Sequence, residues 1–191
     1  MTPQYFAGVY GHMEAHMKRT AAILVGVMLV SFPVGAQQAN PISTTLKASW
    51  VNIRDLISKT AEKMPEENYR FKPTPEVEDF GRRMAHAIQF MMRGCATVKG
   101  DQKTVTFSAA PTRAEAVAAM KETSAECDAV FNSLTDADAL KMVTAGRGGA
   151  RPAFAILESN VLEHSQEMYG YMAVYLRLKG IVPPSSDHNE R

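Results

Sequence analysis

Four stretches of this chain each carry one apolar stripe at helical spacing, and proline or glycine separates them. In the first, Leu46, Trp50, Ile53, Ile57 and Met64 recur at intervals of three, four and seven. That spacing puts them on one face of a helix from about Ser43 to Lys63, stopped by Pro65. The second opens with Thr74 as N-cap and Pro75 in the first turn, an arrangement that suits a helix start. Its stripe is Val77, Phe80, Met84, Ile88, Met91 and Cys95, and it ends near Gly100. The third begins at Thr112, with Glu115 three residues on as a capping box. Val117, Met120, Cys127, Val130, Phe131 and Leu134 form its face. The fourth starts around Pro152 and carries Phe154, Leu157, Val161, His164, Met168, Tyr171 and Tyr175. Lys179-Gly180 ends it, and Pro183-Pro184 mark the exit.

Between these helices the sequence predicts an extended, proline-rich connector over 65–75 and a loop over 135–151. Only Thr104–Phe107 hints at a strand, and nothing repeats internally. The expected fold class is therefore all-α, an up-down four-helix bundle.

The N-terminus has a different character. From Met17 it reads Met-Lys-Arg-Thr, an apolar run from Ala21 to Val34, and then Val34-Gly35-Ala36. A basic start, a short apolar core and a small-x-small end describe a signal peptide cut after Ala36. A membrane span wants about 20 apolar residues, more than this run supplies; an N-terminal anchor is the rival interpretation. On that reading Met17 is a plausible start, as Met1 is, and 1–16 would then lie upstream of it. The expected organisation is a leader over 1–36, a bundle over 37–186 and a disordered tail over 187–191. Export to the periplasm or beyond follows, with no stable membrane insertion after cleavage.

Charge narrows the partners. Lys and Arg number 21 and Asp and Glu 20; cleavage removes Lys18, Arg19 and Glu14 and leaves the signs balanced. No global field draws such a chain to nucleic acid. Two cysteines exclude a disulfide-rich scaffold and a four-cysteine zinc site. Cys95 and Cys127 lie on neighbouring helices; in an oxidising compartment they either pair or remain two buried thiols. A catalytic thiol would need a basic partner, and Arg93 is the one considered beside Cys95.

Beyond the leader the chain has three histidines: His86, His164 and His188. His164 lies within the fourth stripe, with Asn160 and Glu167 one turn to either side. His86 sits at the edge of the second stripe beside Phe90. Taken singly, each reads as a structural histidine hydrogen-bonded in a bundle. Gly146-Arg147-Gly148-Gly149 lacks the spacing and the Lys-Ser/Thr of a phosphate loop and reads as flexible. No hydrolase elbow, zinc-protease or dinucleotide motif is present.

Two stretches carry a resemblance. One runs Met64-Pro-Glu-Glu-Asn-Tyr-Arg-Phe-Lys-Pro-Thr-Pro-Glu-Val77 and continues through Phe80-Gly81 to His86. The other runs from Glu163-His164 through Tyr175-Leu-Arg-Leu-Lys-Gly-Ile-Val-Pro-Pro-Ser-Ser186. With Trp50 they resemble the DinB-like four-helix bundles, in particular the exported branch, over almost the whole mature chain. The resemblance implies a disulfide between Cys95 and Cys127. It also implies a divalent metal, zinc or nickel above all, held by one histidine on the second helix and two at i and i+4 on the last. His86 and His164 match two of these positions. Asn160 occupies the third, where an amide is a poorer zinc ligand than imidazole, and Glu167 offers a carboxylate one turn further on.

Characterised relatives include mycothiol-dependent maleylpyruvate isomerase and bacillithiol transferases, which implies a metal-dependent transferase, or a hydrolase if water is the nucleophile, acting on a small molecule. The alternative is a binding or dimerisation bundle with a degenerate site, since related bundles often self-associate. An apolar stripe left exposed after the core is filled would mark dimerisation.

Overall fold

The computed structural model describes residues 39–146 and 149–187. The expected signal peptide over 1–36, the expected start at Met17, Arg147, Gly148 and the tail with His188 lie outside the described residues.

Helix α1, Pro41–Lys63, buries Leu46, Trp50, Ile53 and Ile57 as its stripe requires. It ends where Pro65 cannot continue it. Helix α2, Phe80–Lys99, starts five residues later than Pro75 predicts. The side chain of Asp79, not Thr74, caps it by accepting from the Arg82 N–H at 2.9 Å. The cause is the return of the chain: the Phe80 N–H donates to the Phe71 carbonyl and the Gly81 N–H to that of Tyr69. Those bonds bind residues 69–81 into a loop, and they need a glycine at 81. A Cβ there would stand 2.5 Å from the Pro111 carbonyl oxygen. Gly100, at φ 78°, closes α2.

Helix α3, Arg113–Ser133, begins with the expected reciprocal cap of Thr112 and Glu115. The Thr112 N–H holds the Glu115 carboxyl down at about 2. The stretch read as a loop over 135–151 has structure. A short helix α4, Asp136–Leu140, is followed by an antiparallel pair, β1 (Met142–Thr144) and β2 (Ala150–Pro152). Thr104–Phe107, the one hint of a strand, joins no sheet.

The fourth helix is continuous but not uniform. It comprises α5 (Ala153–Ile156), a π-helical segment (Leu157–Glu163) and α6 (His164–Leu178). Apolar periodicity sees the boundaries of such an element but not a change of pitch inside it.

Among the long helices, α1 and α2 both pack against α3 and against the last helix. The connectors 64–79 and 134–152 therefore join helices that are not neighbours, which is why both are long. The core is rich in methionine: Met84, Met91, Met92, Met120, Met168 and Met172 fill it around Ile53, Ile57, Ile88 and Leu176. Flexible thioethers suit the uneven gaps between helices of differing pitch. At one end Trp50 stacks on Phe131 with ring centroids 5.3 Å apart and donates its indole N–H to Asp128 at 2.7 Å. Arg54 holds the same carboxylate at 2.9 Å. The resemblance implied one covalent tie, and it is present: Cys95 and Cys127 form a disulfide between α2 and α3, Cα–Cα 5.3 Å.

Candidate functional site

His86 faces the last helix from the middle of α2, and His164 opens α6 opposite it. Their ring centroids are 5.0 Å apart, at an interplanar angle of 62°. Phe90, one turn after His86, lies against both rings, 4.7 Å from His86 and 4.2 Å from His164. The sequence separates these histidines by most of the bundle; the packing of α2 on the last helix brings them together.

The two nitrogens of His164 differ. Nδ1 lies 3.6 Å from a Glu167 oxygen. Nε2 is buried and has no hydrogen-bond partner. Burial lowers the pKa of His164, as do the neighbouring His86 and Arg83, while Glu167 opposes them. The imidazole is thus favoured in its neutral form, with a lone pair available as a ligand or base. An orphaned buried nitrogen is costly unless something satisfies it.

Glu167 is held by the Tyr171 hydroxyl, which donates to it at 3.0 Å. The guanidinium of Arg83 lies over the Tyr171 ring at 5.3 Å and 3.5 Å from Glu78. The helix periodicity of α2 contained Arg83 and Phe90, at i−3 and i+4 from His86, but gave no reason to prefer them. Tyr171, read as part of the buried stripe, is 46% exposed.

Asn160 is placed elsewhere. It lies in the π-helical segment, where the His164 N–H bonds the Ser159 carbonyl five residues back. A π turn takes more residues than an α turn, so the spacing of Asn160 and His164 is not that of a regular α-helix. The Asn160 side-chain oxygen accepts from the Ser159 hydroxyl at 3.2 Å. Its side chain lines a cleft of about 860 Å³ with Arg93, Thr97 and Thr144, in which neither histidine takes part. A smaller cleft of about 350 Å³ adjoins His86 itself, walled by Glu78, Arg82, Gln89 and Ser108.

The donor set fits a metal in part. Two imidazoles face each other, one with an unsatisfied buried nitrogen. Among the described residues no group of three His, Cys, Asp or Glu side chains surrounds a common point. Glu167 approaches the far nitrogen of His164, so its carboxylate would have to swing round to share a cation with Nε2. A catalytic zinc site usually has three protein ligands; here two stand in place.

The DinB superfamily model matches residues 49–167, more than half of the chain. The chain belongs to the DinB superfamily. Solved DinB-like structures share its fold: a DinB-like protein from Bacillus subtilis, 18% identical, superposes with a TM-score of 0.61 over 75% of this chain and 99% of that one. A second, from Bacillus cereus ATCC 10987, is 17% identical, with a TM-score of 0.60 over 73% and 93%. No curated protein matches the chain significantly. Within this DinB-like bundle, no helix among the described residues is long and apolar enough to cross a membrane.

Proposed function

We propose that this DinB-superfamily chain is exported and binds a divalent cation, zinc or nickel, between His86 and His164, where it acts on a small molecule as a transferase or hydrolase. The observation that carries this reading is the buried, unpartnered Nε2 of His164 beside His86. The disulfide supports export, because such bonds persist in oxidising compartments, and so does the leader-like segment over 1–36.

A cation there would supply Lewis acidity, stabilising a thiolate or a hydroxide at neutral pH. The protein's own groups have separate tasks. His86 and His164 offer imidazole nitrogens from two helices. Phe90 keeps water from the ring faces it covers. Tyr171 orients Glu167, the carboxylate best placed to approach as a third ligand or to take a proton from the nucleophile. The cleft beside His86 admits a ligand of modest size, with Arg82 on its wall.

The position of Asn160 favours one rival: a bundle that binds a ligand without catalysis, its metal site incomplete. Calorimetric titration with zinc and with nickel separates the two. The wild type is expected to bind one equivalent and His86→Ala and His164→Ala none, with helical circular dichroism unchanged in all three. Absence of binding by the wild type contradicts the metal reading and leaves the binding bundle.

A further inference from the structure

The guanidinium of Arg83 is mostly covered and poorly satisfied. Its side chain is 21% exposed, and its Nε is buried with no hydrogen-bond partner. Nη1 donates to the Met168 sulfur at 3.8 Å, a weak acceptor. Nη2 stands 3.5 Å from a Glu78 carboxylate oxygen, beyond the range of a good N–H···O bond. Tyr171 offers it a ring face. Tyr175 lies close enough to feel its charge, but that hydroxyl gives its proton to the Glu78 carbonyl at 2.7 Å. A permanent charge so placed is costly unless an anion lies well against it.

Arg83 belongs to the seam that holds the histidines. It is i−3 from His86 on α2, and Met168, which it touches, is i+4 from His164 on α6. Such spacings share a helix face. The unpartnered Arg83 Nε and the unpartnered His164 Nε2 therefore stand about a turn apart in one seam. Burial first, then the charges of His86 and Arg83, lower the His164 pKa, so the guanidinium is within electrostatic reach of the imidazole. A cation on His164 and the guanidinium would repel each other; an anion between them attracts both.

The cleft beside His86 leads to this point. Glu78, the carboxylate nearest Arg83 Nη2, lines that cleft. Arg82 stands on the same wall, and among the described residues its side chain forms no hydrogen bond or ion pair. Two arginines against one carboxylate leave this end of the cleft positive.

We propose that Arg83 binds the carboxylate of a small carboxylic acid, which displaces Glu78 and pairs with Nε–H and Nη2–H along one edge of the guanidinium. That edge is the planar, two-donor fork that a carboxylate matches. The rest of the ligand then lies toward His86 and His164. Its reaction there rests on the cation reading above; the carboxylate site does not.

Nuclear magnetic resonance of the arginine Nε–H groups tests it, on nitrogen-15-labelled chain freed of metal by a chelator. The Arg83 signal is the one that Arg83→Lys removes. Acetate is expected to move that signal saturably, and chloride at equal ionic strength to leave it in place. Arg83→Lys keeps the charge but loses the fork, and should weaken acetate binding about tenfold or more, read on the His86 backbone amide. Glu78→Gln removes the competing carboxylate, leaves the guanidinium in place and should tighten acetate binding. Circular dichroism shows that both variants fold. An Arg83 signal that acetate leaves unmoved, or that chloride moves equally, overturns the proposal. So does a Glu78→Gln variant that binds acetate no more tightly than the wild type. Zinc titration of the same sample keeps the two readings apart. Acetate binding without zinc binding supports the carboxylate site and contradicts the cation; zinc binding without acetate binding does the reverse.

Discussion

The two helices that carry the histidines are built differently. In α2 the ends are capped, by Asp79 at one and by left-handed Gly100 at the other. Its pitch is regular, and the disulfide fastens it to α3. The last helix has no side-chain cap and changes pitch through Leu157–Glu163. Two polar atoms at the start of α6, His164 Nε2 and Ser165 Oγ, are buried without partners. Helix α2 leaves one such atom open, Arg83 Nε, three residues before His86. Functional groups are drawn from such open points, because an unsatisfied atom in a fixed frame is ready for a ligand.

The largest test of this contrast is the covalent tie. The chain-entropy model for a separation of 32 residues gives a loss of roughly 3–4 kcal/mol for the Cys95→Ser/Cys127→Ser pair, read by urea denaturation. Thiol titration of the unreduced, unfolded wild type should find no free thiol. Two free thiols would show that α2 owes its rigidity to packing alone.

Next comes the seam between the helices. A Cβ on Gly94 would lie 2.5 Å from Val161 Cγ2 and 3.3 Å from Asn160 Cβ. Valine is stiff at χ1, so Gly94→Ala should push α2 and the π-helical segment apart at a cost of about 1–3 kcal/mol. A neutral outcome would mean that the segment is loose.

A matched pair probes how each helix uses its polar groups. Asp79→Ala removes the α2 cap and should cost about 1 kcal/mol in a denaturant midpoint series. Ser165→Ala removes an unused hydroxyl and should be neutral or slightly stabilising, since no bond is lost. Equal costs would erase the distinction.

The smallest effect is on pH. Because burial lowers the His164 pKa in the folded state, the unfolded chain takes up the proton first. Stability should hold above the ordinary histidine pKa of about 6.5 and decline as pH falls from there toward the lower folded value. The difference between wild type and His164→Gln, followed from neutral to mildly acid pH, isolates this contribution; a flat difference would contradict it.

Much of the bundle was legible because its signals are local. The α3 capping box, the α1 stripe and the glycine after α2 each depend on residues within a turn or two. Helix α2 misled at its start, where Thr74-Pro75 has every local mark of a cap. The Phe80 and Gly81 N–H groups are instead used by Phe71 and Tyr69, a choice made by the returning connector. The hairpin over 142–152 lay in a stretch rich in glycine with no alternating pattern to reveal it. At the site, His86 and His164 were named from the family likeness, and their meeting depends on packing that no spacing encodes. Asn160 was aligned with His164 by spacing alone, and it lines a cleft in which neither histidine takes part. On that geometry Asn160→His should leave metal affinity unchanged.

The central claim is that the His86–His164 seam holds a cation. Elemental analysis of the chain, purified without chelator or histidine tag, tests it most directly when His164→Ala is carried through beside it. The account predicts one zinc or nickel per wild-type chain and none in the variant, with both folded. Metal absent from both, even after dialysis against zinc and nickel, or retained equally by both, would contradict it.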